Sequence, residues 1–235
     1  MSEFASPPEF GSASLRLPDE LRAPLKLHLA NLREHYRNME WAGRGGFGSK
    51  PAILVIDLAL WWTDPNCYPM GSNVDSVVDS NVRLLKAARQ SGVPVFFTTY
   101  AHDPAEPTSP HGKKLSMEIT PEQIRFFAID LRLQRREGER IIAKRYASAF
   151  KATNLQENLI ALGVDTLIVT GVSTSHCIYA SCRDATDCFH VIVPREAVGD
   201  RCEIMHEVNL LDIEIDLGDV LPTSEVVDYL EELGK

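Results

Sequence analysis

Strand-sized apolar runs alternate with helix-sized stretches along most of this chain, and that alternation limits its fold more than any other feature. The runs are Ala52–Asp57, Val93–Thr99, Arg140–Lys144, Thr166–Val172 and His190–Pro194. Helical stretches lie near Val74–Ser91 and Asn154–Leu162, from about Ser175, and near Glu203–Ile213 and Ser224–Leu233. One parallel strand can follow another only through a crossover, so this order predicts a parallel sheet with helices on both faces, a doubly wound α/β domain. In such a sheet the carboxyl ends of the strands share one rim, and ligands bind in the crevice outside it.

The 235 residues, 44% of them hydrophobic, suit one large core with an appended arm. Residues 1–18, rich in Ser, Pro and Gly, predict a mobile arm. From Asp19 to about Trp41, Leu25, Leu29, Leu32 and Tyr36 recur on one helical face, predicting an added helix. The glycines from Gly43 to Gly48 read as a flexible linker, because they precede a strand, whereas a dinucleotide-binding loop follows one and opens a helix. The expected organisation is an arm over 1–18, a helix and Gly-rich linker over 19–50, and the main domain over 51–235.

A net charge of −9 with no concentrated Lys/Arg run argues against a nucleic-acid partner. No apolar stretch reaches the roughly 18 residues of a membrane span, and the first residues lack the order of a secretory signal, so a soluble, cytoplasmic protein is expected. The cysteines, Cys67, Cys177, Cys182, Cys188 and Cys202, are odd in number and contain no Cys-x-x-Cys, which favours reduced thiols over disulfides or a structural zinc site.

Reading off the exits of the apolar runs brings out Asp57, Lys144 and Cys177, which a parallel sheet can bring together at one rim. Each has an ordinary alternative: a turn-capping Asp, a solvated Lys, a core-filling Cys. Cys177 follows the small-residue turn Gly171–His176 into a helix, where unpaired backbone N–H groups and the dipole favour a thiolate and lower its pKa. The same amides suit an oxyanion. Arg201, after the last apolar run, is placed to fork onto a carboxylate, its alternative being an ion pair with Asp200 or Glu203. Trp61, Trp62 and Phe150 adjoin these residues and suit either a pocket wall or core. His176, beside Cys177, is a candidate substrate contact. The Tyr100–Pro121 segment, with His102, His111, Lys113 and Lys114 among prolines, suits a lid, a subunit contact or a solvated loop.

Four motifs in order, Val-Ile-Asp57-Leu, Lys144–Phe150, Thr170–Cys177 and Val193–Arg201, with His206, Asn209 and Asp212, resemble the cysteine hydrolases of the isochorismatase-like superfamily over about Ala52–Leu230. The resemblance is strongest to its carbamoyl-amide-cleaving branch. It implies an Asp57–Lys144–Cys177 triad, an oxyanion hole formed by the N–H groups of Ser173 and Cys177, a cis peptide at Val172–Ser173 that aims the Ser173 N–H, and a homo-oligomer, dimeric or tetrameric. The nicotinamidase branch carries a metal site with His ligands after its Asp, but Leu58–Asn73 holds no histidine, so no catalytic metal or other cofactor is expected. Ether-cleaving members typically lack the cysteine, so Cys177 turns the expectation toward hydrolysis of a linear amide C–N bond in a small molecule, with release of ammonia. Should Arg201 bind substrate, that molecule is a small acid such as an N-carbamoyl amino acid or a half amide. The alternatives are an ether hydrolase on the same fold and a binding or scaffold protein without chemistry.

Overall fold

A computed structural model describes residues 15–67, 71–105, 110–115 and 119–235. Strands β1 (Pro51–Ile56), β2 (Val95–Tyr100), β3 (Arg140–Lys144), β4 (Thr166–Val172), β5 (His190–Pro194), β6 (Val198–Gly199) and β7 (Asp219–Leu221) form one parallel sheet. Its order is β3-β2-β1-β4-β5-β7, with β6 pairing beside the end of β4. Of helices α1 (Asp19–Asn38), α2 (Leu60–Thr63), α3 (Asp75–Gln90), α4 (Pro110–Leu115), α5 (Leu155–Ala161), α6 (Tyr179–Ala185), α7 (Glu203–Asp216) and α8 (Thr223–Leu233), α3 and α8 cover one face of the sheet and α5, α6 and α7 the other. No helix among the described residues is long and apolar enough to cross a membrane.

The two layers follow from side-chain alternation along the central strand. Ile53 and Val55 of β1 point into a core shared with Val78, Leu84 and Leu85 of α3 and Val226 and Leu230 of α8. Ala52, Leu54 and Ile56 enter the opposite core, with Leu155 and Leu159 of α5, Cys182 of α6 and Leu210 and Ile213 of α7. Each face of β1 is dry, which explains why its sequence is an unbroken apolar run rather than an alternating one. Helix α1 lies outside this sandwich, burying Leu29 and pairing Arg33 and Arg37 with Glu214 of α7.

Three expectations change. The glycine run is a tied connection rather than a loose one. Gly45 and Gly46 donate to the Asp219 carboxylate and Gly48 to the Thr166 hydroxyl, while Phe47 stacks on Tyr229 at 4.0 Å. Of the arm expected to be mobile, residues 1–14 lie outside the described residues, and Leu15 is bridged to Cys202. The short strands β6 and β7 complete the sheet beyond the five expected, and the Tyr100–Pro121 segment contains α4.

Gly171 of β4 pairs with Ile56 at the end of β1. Its φ is +107°, in a region that excludes most side chains, and a Cβ there would run into the carbonyl of Ile56, its partner in register. Gly171→Ala is therefore expected to lower stability by about 3 kcal/mol, or the Tm by roughly 10 °C, read by thermal unfolding.

Candidate active site

Four neighbouring strands deliver side chains to one end of the sheet. Lys144 is the last residue of β3 and lies opposite Tyr100 of β2. Asp57 follows β1 directly, turning the chain with a left-handed φ of +53°, a conformation Asp tolerates better than most residues. Its backbone N–H donates to the Thr98 hydroxyl at 3.0 Å, and that hydroxyl donates back to Asp57 Oδ1 at 2.6 Å. Beyond β4 the Val172–Ser173 peptide is cis, and Thr174–Ile178 form a π-helical turn that carries Cys177 into α6.

The expected convergence is present. Lys144 Nζ stands 2.7 Å from Asp57 Oδ2 and 3.2 Å from Cys177 Sγ, with the Tyr146 carbonyl at 3.3 Å. An ammonium has three protons to donate, and these three acceptors accommodate them. Asp57 and Lys144 are 1% and 5% exposed, so the pair is removed from bulk water. Burial opposes the charge on Lys144, but the neighbouring Asp57 and Cys177 outweigh it and raise its pKa, keeping the group cationic.

The thiol differs from expectation. Burial first, and then the charge of Asp57, push the Cys177 pKa up to about 12, with Lys144 pulling the other way. A turn of five residues ahead of a seven-residue helix offers too little positive potential to offset the loss of water around a thiolate. Burial and the charge of Asp57 thus favour the protonated thiol over the thiolate. Cys182, fully buried, is pushed higher still by burial alone and is a core residue.

The turn itself is held from three sides. Asp200 Oδ2 accepts the Ser175 N–H at 2.9 Å and its hydroxyl at 2.7 Å; Ser181 donates to the Cys177 carbonyl at 2.6 Å; and the Thr174 hydroxyl meets His206 Nδ1 at 2.8 Å. Ser173, whose N–H the resemblance assigns to an oxyanion hole, accepts through its carbonyl from the N–H groups of His176 and Ile178. Sequence reading missed Thr98 and the part played by Asp200. The one available signal for Thr98 was a hydroxyl pair, Thr98-Thr99, at the end of an otherwise apolar run.

The other candidates are spread around this centre. Trp61 is 2% exposed and packs with Cys67 and Phe127, its ring 5.2 Å from that of Phe127. Trp62 is half-buried on the same cluster, which Tyr100 joins from the end of β2. Phe150 is half-buried against Phe189 on the other face of the sheet. His176 lies at the surface, where desolvation by its neighbours and the positive charges of Arg201 and His111 lower its pKa against the pull of Asp200. Arg201, Asp200 and His111 are thus the charged or titratable groups that act on His176, the residue before Cys177. A cavity of about 1040 Å³ opens against Gly199, Asp200, Glu203 and His206, and its walls include neither Asp57 nor Lys144 nor Cys177.

Comparison with known proteins identifies the family. The Isochorismatase domain family matches residues 51–225. Over 205 residues the chain is 37% identical to N-carbamoylsarcosine amidase of an Arthrobacter species, covering 84% of this chain and 78% of that protein. Over 211 residues it is 38% identical to maleamate amidohydrolase of Pseudomonas putida, covering 86% and 96%. In fold it is similar to a crystal structure of a cysteine hydrolase from Pseudomonas syringae pv. phaseolicola, with a TM-score of 0.72, 22% identity and coverage of 81% and 97%.

The raised thiol pKa has a measurable consequence. Asp57→Asn removes the carboxylate charge that helps hold the proton on Cys177 while leaving Lys144 in place, so the thiol pKa should fall. Alkylation of Cys177 by iodoacetamide at pH 8, followed by peptide mass spectrometry, is expected to be faster in Asp57→Asn than in the native protein. Slower alkylation would contradict the reading that the charge of Asp57 raises the Cys177 pKa.

Proposed function

Because the chain belongs to the Isochorismatase domain family, we propose that it is a cysteine-dependent amidohydrolase, cleaving a linear C–N bond of a small carbamoyl or amide substrate through a thioester. The relatives named as an amidase and an amidohydrolase support amide cleavage. The observation that carries the reading is the single ammonium of Lys144 in reach of both Asp57 Oδ2 and Cys177 Sγ.

In this scheme Asp57 takes the proton from Cys177 as Sγ attacks the carbonyl carbon. The thiol's raised pKa favours this concerted transfer over a standing ion pair, because a free thiolate is scarce at neutral pH. The C=O π electrons move to oxygen, and the resulting oxyanion rests on the N–H groups of Ser173 and Cys177, each such donor typically contributing about 3–4 kcal/mol. Collapse breaks the C–N bond, Asp57 returns its proton to the departing nitrogen, and ammonia leaves behind an acyl thioester. Asp57 then takes a proton from water as its oxygen attacks the thioester. Breaking the C–S bond frees the acid, and the proton returns to the cysteine sulfur. Lys144 stays charged throughout, holding the carboxylate in place and stabilising sulfur when it is anionic.

Arg201 and His176, at the approach to Cys177, face the substrate's far end, where a guanidinium fork suits a carboxylate. The half-buried rings of Trp62 and Phe150 wall the pocket, with Trp61 behind them. The scheme routes no step through a metal or other cofactor. We place the enzyme in the cytoplasm as a homo-oligomer, a reading that fits the exposed Leu21 and Leu27 of α1 and Ile204, Met205 and Val208 of α7.

Two measurements check the proposal. Cys177→Ala and Asp57→Asn, with folding verified by circular dichroism, are each expected to reduce ammonia release from carbamoyl amino acids and half amides by a factor of about 10² or more; near-native turnover by either defeats the assignment, and cleavage of a vinyl ether without ammonia would favour an ether hydrolase. Arg201→Ala is expected to raise KM for acidic amides by about tenfold or more while leaving neutral amides little changed. Equal effects on both would remove Arg201 from the binding site.

A further inference from the structure

The segment that carries Arg201 is fastened at both ends, and one fastening comes from the far N-terminal part of the chain. On one side Asp200 grips the nucleophile turn through Ser175 and turns its Oδ1 back to the Cys202 N–H at 3.1 Å. On the other side residues 15–22 run alongside. The Leu15 N–H donates to the Arg201 carbonyl, and the Glu203 N–H donates to the Leu15 carbonyl at 3.0 Å, so the backbone of Arg201 itself is bonded to this strap.

Glu203 is the knot. Its Oε2 accepts the Leu17 N–H at 3.0 Å, and its two oxygens take the Arg22 guanidinium as a fork, Nε at 2.8 Å and Nη2 at 3.3 Å. The same Nη2 donates to the Leu17 carbonyl at 2.8 Å, closing a ring of strap, helix α1 and the first residue of α7. Bidentate geometry fixes orientation as well as distance, and a part-buried pair is screened less than an exposed one. None of these groups reaches Asp57, Lys144 or Cys177 through a hydrogen bond or ion pair among the described residues.

We propose that the Leu15–Arg22 strap is a specificity device for the amidohydrolase reaction: through Glu203 it sets the position of Arg201, and so the enzyme's preference for amides that carry a carboxylate. Arg22 and Glu203 are positioning residues, acting through Arg201 and not on the reacting atoms. The inference rests on the reading of Arg201 as a carboxylate contact. It gives the N-terminal addition, which lies outside the matched domain, a role in choosing substrate while the chemistry stays with the sheet rim.

The test compares maleamate with its neutral methyl ester as substrates of the full-length enzyme, measuring kcat and KM for native protein, Arg22→Ala, Glu203→Gln, Arg201→Ala and the Arg22→Ala/Arg201→Ala pair. The strap variants should raise KM for maleamate about three- to tenfold, leave KM for the ester within about twofold, and leave kcat for both nearly unchanged. The double variant should be no worse on maleamate than Arg201→Ala alone, since both changes act on one contact. Thermal unfolding of each variant identifies any that simply fail to fold, and Glu203→Gln, nearly isosteric, retains the shape if Arg22→Ala does not. If Arg201→Ala is selective for the acid but the strap variants are not, the strap proposal is overturned and the carboxylate reading stands. If Arg201→Ala itself shows no selectivity, or the native enzyme turns over neither compound, both are overturned.

Discussion

The ammonium of Lys144 is the constraint on which the rest of the site depends. Two groups that each become anionic during the proposed chemistry touch it, one by a 2.7 Å contact and one at 3.2 Å, with water excluded from both its partner and itself. Burial and the charge of Asp57 favour the neutral thiol at rest. Moving the proton from sulfur to carboxylate leaves a neutral acid and a thiolate, and the local charge is the same before and after. Until sulfur bonds to carbon the cation therefore faces one full negative charge, and proton transfer requires little rearrangement of surrounding dipoles. A buried ion pair of this kind is weak evidence for stability, because desolvation consumes much of the Coulomb attraction. Its place at the sheet rim argues for chemistry.

Strand order is what makes the arrangement available. The sequence β3-β2-β1-β4 sets Lys144, Thr98, Asp57 and the Ser173–Cys177 turn side by side although they are scattered over some 120 residues of chain. Thr98 occupies the gap between the lysine's strand and the aspartate's, using one hydroxyl to fix both the backbone and the carboxylate of Asp57. Asp200 does the equivalent for the nucleophile turn. Asp57 and the Cys177 turn are thus each oriented by a short polar side chain on an adjacent element, an economical way to hold geometry without lengthening loops.

Much of this was legible in the residues. Strands β1 and β4 are buried on both faces, so each reads as an unbroken apolar block, and the polar residues at the strand exits stand out against such blocks. The structure puts Asp57, Lys144 and Cys177 together as their positions suggested. What was not legible depends on partners distant in sequence. The two-residue β6 and three-residue β7 are too short to carry a period. The glycine run looks loose until Asp219 and Thr166, more than 100 residues away, supply its hydrogen bonds. The protonated state of Cys177 follows from burial, which helix-terminus reasoning omits, and the strap from an Arg22–Glu203 pair that no local pattern announces.

Lys144 arrives on β3, the strand at the margin of the sheet, bonded to β2 along one side and with Arg140, Ile141 and Ala143 turned outward. Marginal strands open more readily than central ones. The cation can thus be withdrawn from Asp57 and Cys177 by a local fluctuation that leaves β1 and β4, and the core between them, intact. The molecule is accordingly able to lose its chemistry well before it loses its shape, and the temperature or denaturant at which it stops working reports on one outer ribbon rather than on the protein as a whole.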